Sequence, residues 1–202
     1  MEIKDCKFEV TNIKISVKLP FSVDLEFVED RCKCLQSSVS NIFCSRKNKN
    51  ILTIRYNSYT YVLFKRSSKV SPEGIAPPQH CNITKLKSDS DILQAIEYLF
   101  FLIDKPALFL DYDIDNYSCC GDIFKKIDIS SLYINEPGIA CSYNEENFPA
   151  LTIYCPPELK DLSKNLCCLV YRSGRFVLVG GKNLQEIRKF FIWVIDIVKN
   201  YT

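Results

Sequence analysis

The chain has 202 residues, 47% of them apolar, and a formal net charge of +2. That length suits one large domain or two small ones, and no apolar run approaches the ~20 residues of a membrane span. Near-neutral charge neither demands nor excludes nucleic acid, because clustering matters more than the sum.

Taken in order, residues 8–19 (FEVTNIKISVKL) alternate and are rich in β-branched side chains, which predicts a strand ended by Pro20. Residues 23–35 carry Leu25, Phe27, Val28 and Cys32 at near-helical spacing and predict a short helix. Residues 37–49 are polar and are expected to loop or pair weakly. Residues 51–55 and 59–65 read as strands joined by an Asn57-Ser58 turn. Residues 71–80 (SPEGIAPPQH) hold Pro72, Pro77 and Pro78 and read as an irregular loop, with a short strand near 82–86. Ser90 is expected to cap a helix with Ile92, Ile96, Leu99 and Ile103 on one stripe, and Pro106 follows its end. A strand is predicted over 109–117, a short helical segment over 127–133, a strand over 148–154 and a polar loop over 156–165. Residues 166–182 (LCCLVYRSGRFVLVGGK) read as a hairpin turning at Ser173-Gly174. Both of its faces are apolar, so the face turned from the core is expected to meet protein or ligand. A last helix begins at Asn183, with Leu184, Ile187, Phe191, Val194 and Val198 on its stripe.

The order strand, short helix, strands, long helix occurs twice, predicting a first repeat over 1–103 with a proline-rich insertion at 71–80 and a second over 104–202. Asn12 and Asn116 stand at matched places, as do Phe64 and Tyr171, and Lys69 and Arg175. Two such units joined edge to edge make an α+β sheet with helices on one side and an open face on the other.

The motifs DYDIDN (111–116), YNEENFPAL (143–151) and SGRFVLVGGK (173–182) together resemble the TATA-box-binding protein family. The resemblance covers 104–200 directly and 8–103 mainly through the repeat. It implies the family's saddle, a curved antiparallel sheet of two pseudo-symmetric repeats with helices on the convex side. It also implies a transcription initiation factor that binds and bends AT-rich promoter DNA through the minor groove and recruits a TFIIB-like factor and RNA polymerase. In that groove A·T pairs expose no amino donor, so apolar side chains suit its floor, and aromatic wedges kink base steps. Carried over by position, Phe148 and Tyr171 match wedges of the second half and Phe64 an equivalent of the first. Asn12 and Asn116 match the central hydrogen-bonding pair. Val62, Thr84, Leu169, Val177 and Val179 would line the groove floor, while Arg55, Lys69, Arg175 and Ser173 would meet phosphates. The chain departs from the family at Lys49-Asn50, where no aromatic stands for the outer wedge and Phe43 is a shifted substitute. It departs again at Lys14 and Ser118 beside the asparagines, and in the hydroxyl of Tyr171. Abundant Ile, Lys, Asn and Tyr fit an AT-rich genome, such as that of a large DNA virus or a parasite. The expected location is the nucleus, or a cytoplasmic viral factory for a viral source.

Other chemistries are weaker. The N-terminus MEIKDCKFEV is charged and lacks a signal core. Eleven cysteines are an odd number, and many sit at strand positions, which favours free thiols in a reducing compartment. Cys119-Cys120, Cys167-Cys168 and Cys32-Lys33-Cys34 are poorly spaced for a metal, and His80 has no obvious nucleophilic partner, so neither a cofactor nor catalysis is expected. Asp111, Asp113 and Asp115 share a strand face and read as a solvated edge. A base-excision glycosylase carries a related fold in one lobe, but its helical catalytic domain has no counterpart. The alternative function is a protein-interaction module of the same fold with weak or no DNA binding.

Overall fold

A computed structural model describes residues 6–67, 77–106, 111–159 and 161–202. Its elements run β1 (Lys7–Leu19), α1 (Leu25–Gln36), β2 (Ile42–Asn48), β3 (Ile51–Tyr56), β4 (Tyr59–Phe64), β5 (Gln79–Leu86) and α2 (Asp89–Ile103). The second series is β6 (Tyr112–Asp122), α3 (Ile129–Asn135), β7 (Cys141–Asn144), β8 (Phe148–Tyr154), β9 (Cys167–Tyr171), β10 (Arg175–Gly181) and α4 (Leu184–Val198). Strand, helix, four strands, helix thus occurs twice. The class is α+β with antiparallel strands.

The chain divides into two units, 1–12 with 115–202 and 13–114, so it passes between them within β1 and within β6. In the unit formed by 13–114 the strand order is β2-β3-β4-β5-β1. Alternation puts Ile15, Val17, Leu52, Ile54, Tyr61, Leu63, Cys81 and Ile83 on one face, all fully buried. Helix α2 brings Ile92, Ala95, Ile96, Leu99 and Ile103 to this core. Asp24 caps α1 by accepting from the Glu26 N–H, and Arg31 of α1 pairs with Asp104 at 2.9 Å. Gln79 is the buried polar residue that closes this layer. Its Oε1 accepts from the Val23 N–H at 2.7 Å, and its Nε2 donates to the carbonyls of Val23 and Phe64.

In the unit formed by 1–12 and 115–202 the order is β6-β10-β9-β8-β7. Cys119, Cys168, Val170, Phe176, Leu178, Leu151 and Ile153 face α4, which supplies Ile187, Phe190, Phe191, Val194 and Val198. Phe8, Phe176 and Phe191 form an aromatic cluster, the last two at 4.4 Å between centroids. Asn183 caps α4 through the Glu186 N–H.

The structure corrects the sequence reading in five places. Residues 42–48, expected to be loop or weakly paired, form β2 in a six-rung pairing with β3. Gln79 and His80, expected in the 71–80 loop, belong to β5, while residues 71–76 of that loop lie outside the described residues. The cap of α2 is Ser88, whose hydroxyl accepts from the Asp91 N–H. Strand β6 continues past Tyr117 to Asp122 because Cys119 and Phe176 need its last rungs for their core places. Phe43 pairs with Arg55, at the opposite end of β3 from Ile51 and Phe64. Four residues of strand span roughly 13 Å, so Phe43 cannot substitute for an aromatic at Lys49.

Candidate nucleic-acid interface

Opposite α4, the second sheet face carries half-exposed side chains, with the exposed Ser142 and Tyr154 toward its outer strands, in cross-strand rows. Cys120, Val177, Leu169, Thr152 and Ser142 stand in register on successive strands β6, β10, β9, β8 and β7. Ser118, Val179, Cys167 and Tyr154 form the next row. The residues expected for the groove floor in this half, Leu169, Val177 and Val179, therefore share one surface. Tyr171 lies opposite Ala150, and two residues earlier on β8 stands Phe148. Phe148 is 42% exposed, too open for a core residue, and meets Tyr171 edge-on with centroids 6.3 Å apart. Edge-to-face contact suits two aromatics of opposite local polarity. Ser173 and Arg175 flank the tight turn beside Tyr171; Arg175 is exposed and its Nε lies 3.8 Å from Asp122.

Asn116 sits on the same face of β6. Between Val179 and Gly181 the β10 register slips, and Gly180 takes φ +92° there. This bulge frees the Gly180 N–H from the ladder, and it donates to Asn116 Oδ1 at 2.7 Å. A backbone N–H can only donate, so the amide oxygen of Asn116 is fixed inward and its NH2 is the outward group. One amide hydrogen goes to Ser118 Oγ at 3.1 Å. Asn12 closes the β1 segment of this unit and is half-exposed. The fold keeps Asn116 as a donor, which is the chemistry needed opposite purine N3 and pyrimidine O2.

The turn that precedes Phe148 is tied to the β9–β10 turn. Arg172 donates to Glu145 at 3.1 Å and to the Tyr143 hydroxyl at 3.3 Å. Sequence reasoning missed this tie, because the partners are far apart in the chain. It also missed Phe124, which is 68% exposed with φ 56°. With Lys7, Tyr171 and Arg175, Phe124 borders a surface cavity of about 670 Å3.

In the unit formed by 13–114, the face away from the core carries Phe64, Val62 and Thr84, all half-exposed, and Arg55, exposed. Val62 pairs with Thr53 and Asn82, Phe64 with Ile51, and Thr84 with Thr60. Lys49 lies two residues before Ile51, where Phe148 lies two before Ala150 in the other unit. Lys14 is half-exposed on this face. Lys18 pairs with Asp113 at 2.9 Å, and that hydrogen bond and charge hold its ammonium pKa above the ordinary value. Asp113, expected in a solvated edge row, is thus ion-paired, and β6 is not an edge strand, since β1 and β10 are its neighbours. Lys69 lies outside the described residues. All eleven cysteines are free thiols, and the neighbours Cys119 and Cys120, like Cys167 and Cys168, point to opposite faces. No helix among the described residues is long and apolar enough to cross a membrane.

Comparison with known proteins gives this surface a context. Residues 111–201 match the family model described as transcription factor TFIID, or TATA-binding protein. The chain is 25% identical over 193 residues to TATA box-binding protein-like 2 of Takifugu rubripes, covering 96% of this chain and 53% of that protein. It is 31% identical over 121 residues to the TATA-box-binding protein of Drosophila melanogaster, covering 58% of this chain and 32% of the relative. The chain therefore spans about half, or less, of the length of these curated relatives. Its fold superposes on that of Methanococcus jannaschii TBP with a TM-score of 0.66 at 18% identity, over 96% of this chain and 99% of the other. A family match over the second series of elements, a relative aligned along nearly the whole chain and a shared fold together support a divergent protein similar to the TATA-box-binding protein family.

Proposed function

We propose that this chain is a non-enzymatic transcription initiation factor that seats AT-rich promoter DNA against its open sheet faces and bends it through the minor groove. The observation that most supports this is the open face of 115–202. There two aromatics stand at the rim beside the β9–β10 turn, an aliphatic floor runs from them toward the bulge in β10, and an asparagine is held as an outward donor. Apolar floor and amide donor together favour a groove that displays acceptors and no amino group. Phe148 and Tyr171 act as wedges, Phe64 as their counterpart, and Asn12 with Asn116 as the central donors. Leu169, Val177, Val179, Val62 and Thr84 form the floor, with Arg55, Lys69, Arg175 and Ser173 on phosphates. We further propose that the two halves act as repeats, that the bent complex is read by a TFIIB-like factor and RNA polymerase, and that the site of action is the nucleus.

A second reading, a protein-interaction module with little DNA affinity, is favoured by the other unit. Lys49 stands in the wedge position there, and Lys14 and Asn82 make its face more polar. Titration of an AT-rich duplex at rising salt separates the two. Three cationic phosphate contacts give log K against log salt a slope of about −3, at roughly −0.9 per contact. Absence of binding at low salt would leave the interaction module as the function.

A further inference from the structure

We propose, resting on the DNA-binding reading above, that Asn82 is a base-reading residue that makes the half-site met by 13–114 discriminate against G·C by hydrogen bonding, where the other half does so by shape. Asn82 lies on β5 between two fully buried neighbours, Cys81 and Ile83, so its side chain belongs to the open face. It stands in register with Ser16 on one side and Val62 on the other. The Ser16 hydroxyl donates to Asn82 Oδ1 at 2.9 Å. The amide oxygen is thereby occupied within the sheet, and the NH2 is the group left to face a ligand. In the other unit the same place in the row belongs to Val177, between Cys120 and Leu169. One half thus offers a methyl-bearing floor and the other an oriented donor.

The chemistry of the groove gives this difference a consequence. Every base pair presents a purine N3 or pyrimidine O2 acceptor there, and G·C adds the guanine amino donor. An amide NH2 bonds the acceptor of an A·T pair. Beneath a G·C pair it meets another donor, and one group must give up its hydrogen bond. Val177 has no such term and senses the amino group only as bulk. The two half-sites are then read unequally, which adds a base-dependent preference for one orientation on the duplex.

The test scans single G·C replacements along an AT-rich duplex and measures binding of the full chain, as wild type, Asn82→Val and Asn82→Asp, by fluorescence anisotropy. Wild type is expected to lose about tenfold more affinity at one step of one half-site than at neighbouring steps, the scale of one hydrogen bond lost against a desolvated donor. Asn82→Val is expected to flatten that step alone. Asn82→Asp keeps the acceptor for Ser16 and turns an acceptor outward, so that the step shifts toward G·C while overall affinity falls. The aspartate variant is isosteric, and its circular dichroism melt checks the fold independently. Profiles unchanged in both variants would overturn the assignment while leaving DNA binding intact. A uniform loss across all steps would overturn it in favour of a structural Ser16–Asn82 bond. A wild type that binds no duplex would overturn it together with the DNA-binding reading.

Discussion

Two substitutions at Asn116 separate what this residue does for the fold from what it does for a ligand. Its Oδ1 receives the Gly180 N–H at 2.7 Å at a bulge where that N–H has left the strand ladder. Asn116→Ala removes the acceptor and strands a partly buried donor, which costs about 1–3 kcal/mol. With a urea slope of about 2 kcal/mol/M, the unfolding midpoint falls by roughly 0.5–1.5 M. Asn116→Asp retains the acceptor for Gly180, and the Ser118 hydroxyl, now 3.1 Å from the amide nitrogen, can rotate to donate to the second carboxylate oxygen. Its midpoint stays near wild type. The aspartate variant nevertheless loses the outward NH2 and sets a negative charge against base acceptors, so duplex affinity falls by ~100-fold, about 2.7 kcal/mol. Urea denaturation followed by fluorescence and duplex binding by anisotropy measure both effects on the same samples. An aspartate variant that binds like wild type would refute the donor role, and an alanine variant with an unshifted midpoint would refute the structural one.

Two further outcomes follow from local geometry. Gly180→Ala places a methyl 2.0 Å from the Asn165 carbonyl oxygen at a residue with φ +92°. It should lower stability by ~2 kcal/mol or more and, by moving the bulge, weaken duplex binding as well; a melting temperature equal to wild type would contradict this. Asp128 caps α3 by accepting from the Ser131 N–H and hydroxyl, and those bonds hold its carboxyl below the ordinary aspartate range. A depressed folded-state pKa means stability that is present above the unfolded value and is lost as pH falls through the folded one. The stability gap between wild type and Asp128→Ala should therefore be full at neutral pH and close below about pH 4, as read from urea midpoints across pH.

The hairpin of β9 and β10 was legible because Ser173-Gly174 punctuates two alternating runs, and because both of its faces are apolar. Helices α2 and α4 were legible from stripes such as Ile92, Ile96 and Leu99, although the cap of α2 expected at Ser90 is Ser88, two residues earlier. What escaped depended on distant partners. Gln79 looks like loop beside Pro78, yet its amide fastens Val23 to Phe64 across the layer. Cys119, Cys120 and Gly121 do not look like strand, yet their rungs on β10 make them one. Phe43 looks like a near neighbour of Lys49 in sequence, but the hairpin of β2 and β3 carries the two to opposite ends. The orientation of Asn116 was invisible because it depends on the bulge at Gly180. Asn82 was within reach, since it lies two residues before Thr84 on the same strand face.

The most direct test of DNA bending is energy transfer across an end-labelled AT-rich duplex titrated with wild type and with Phe148→Ala. Phe148 is exposed at the rim, so its removal should leave the circular dichroism melt essentially unchanged. Wild type should give a saturable rise in transfer, and Phe148→Ala should bind with a markedly smaller one. Equal transfer in the two proteins, or no transfer at saturating wild type, would contradict a wedge at Phe148 and a bending function for this face.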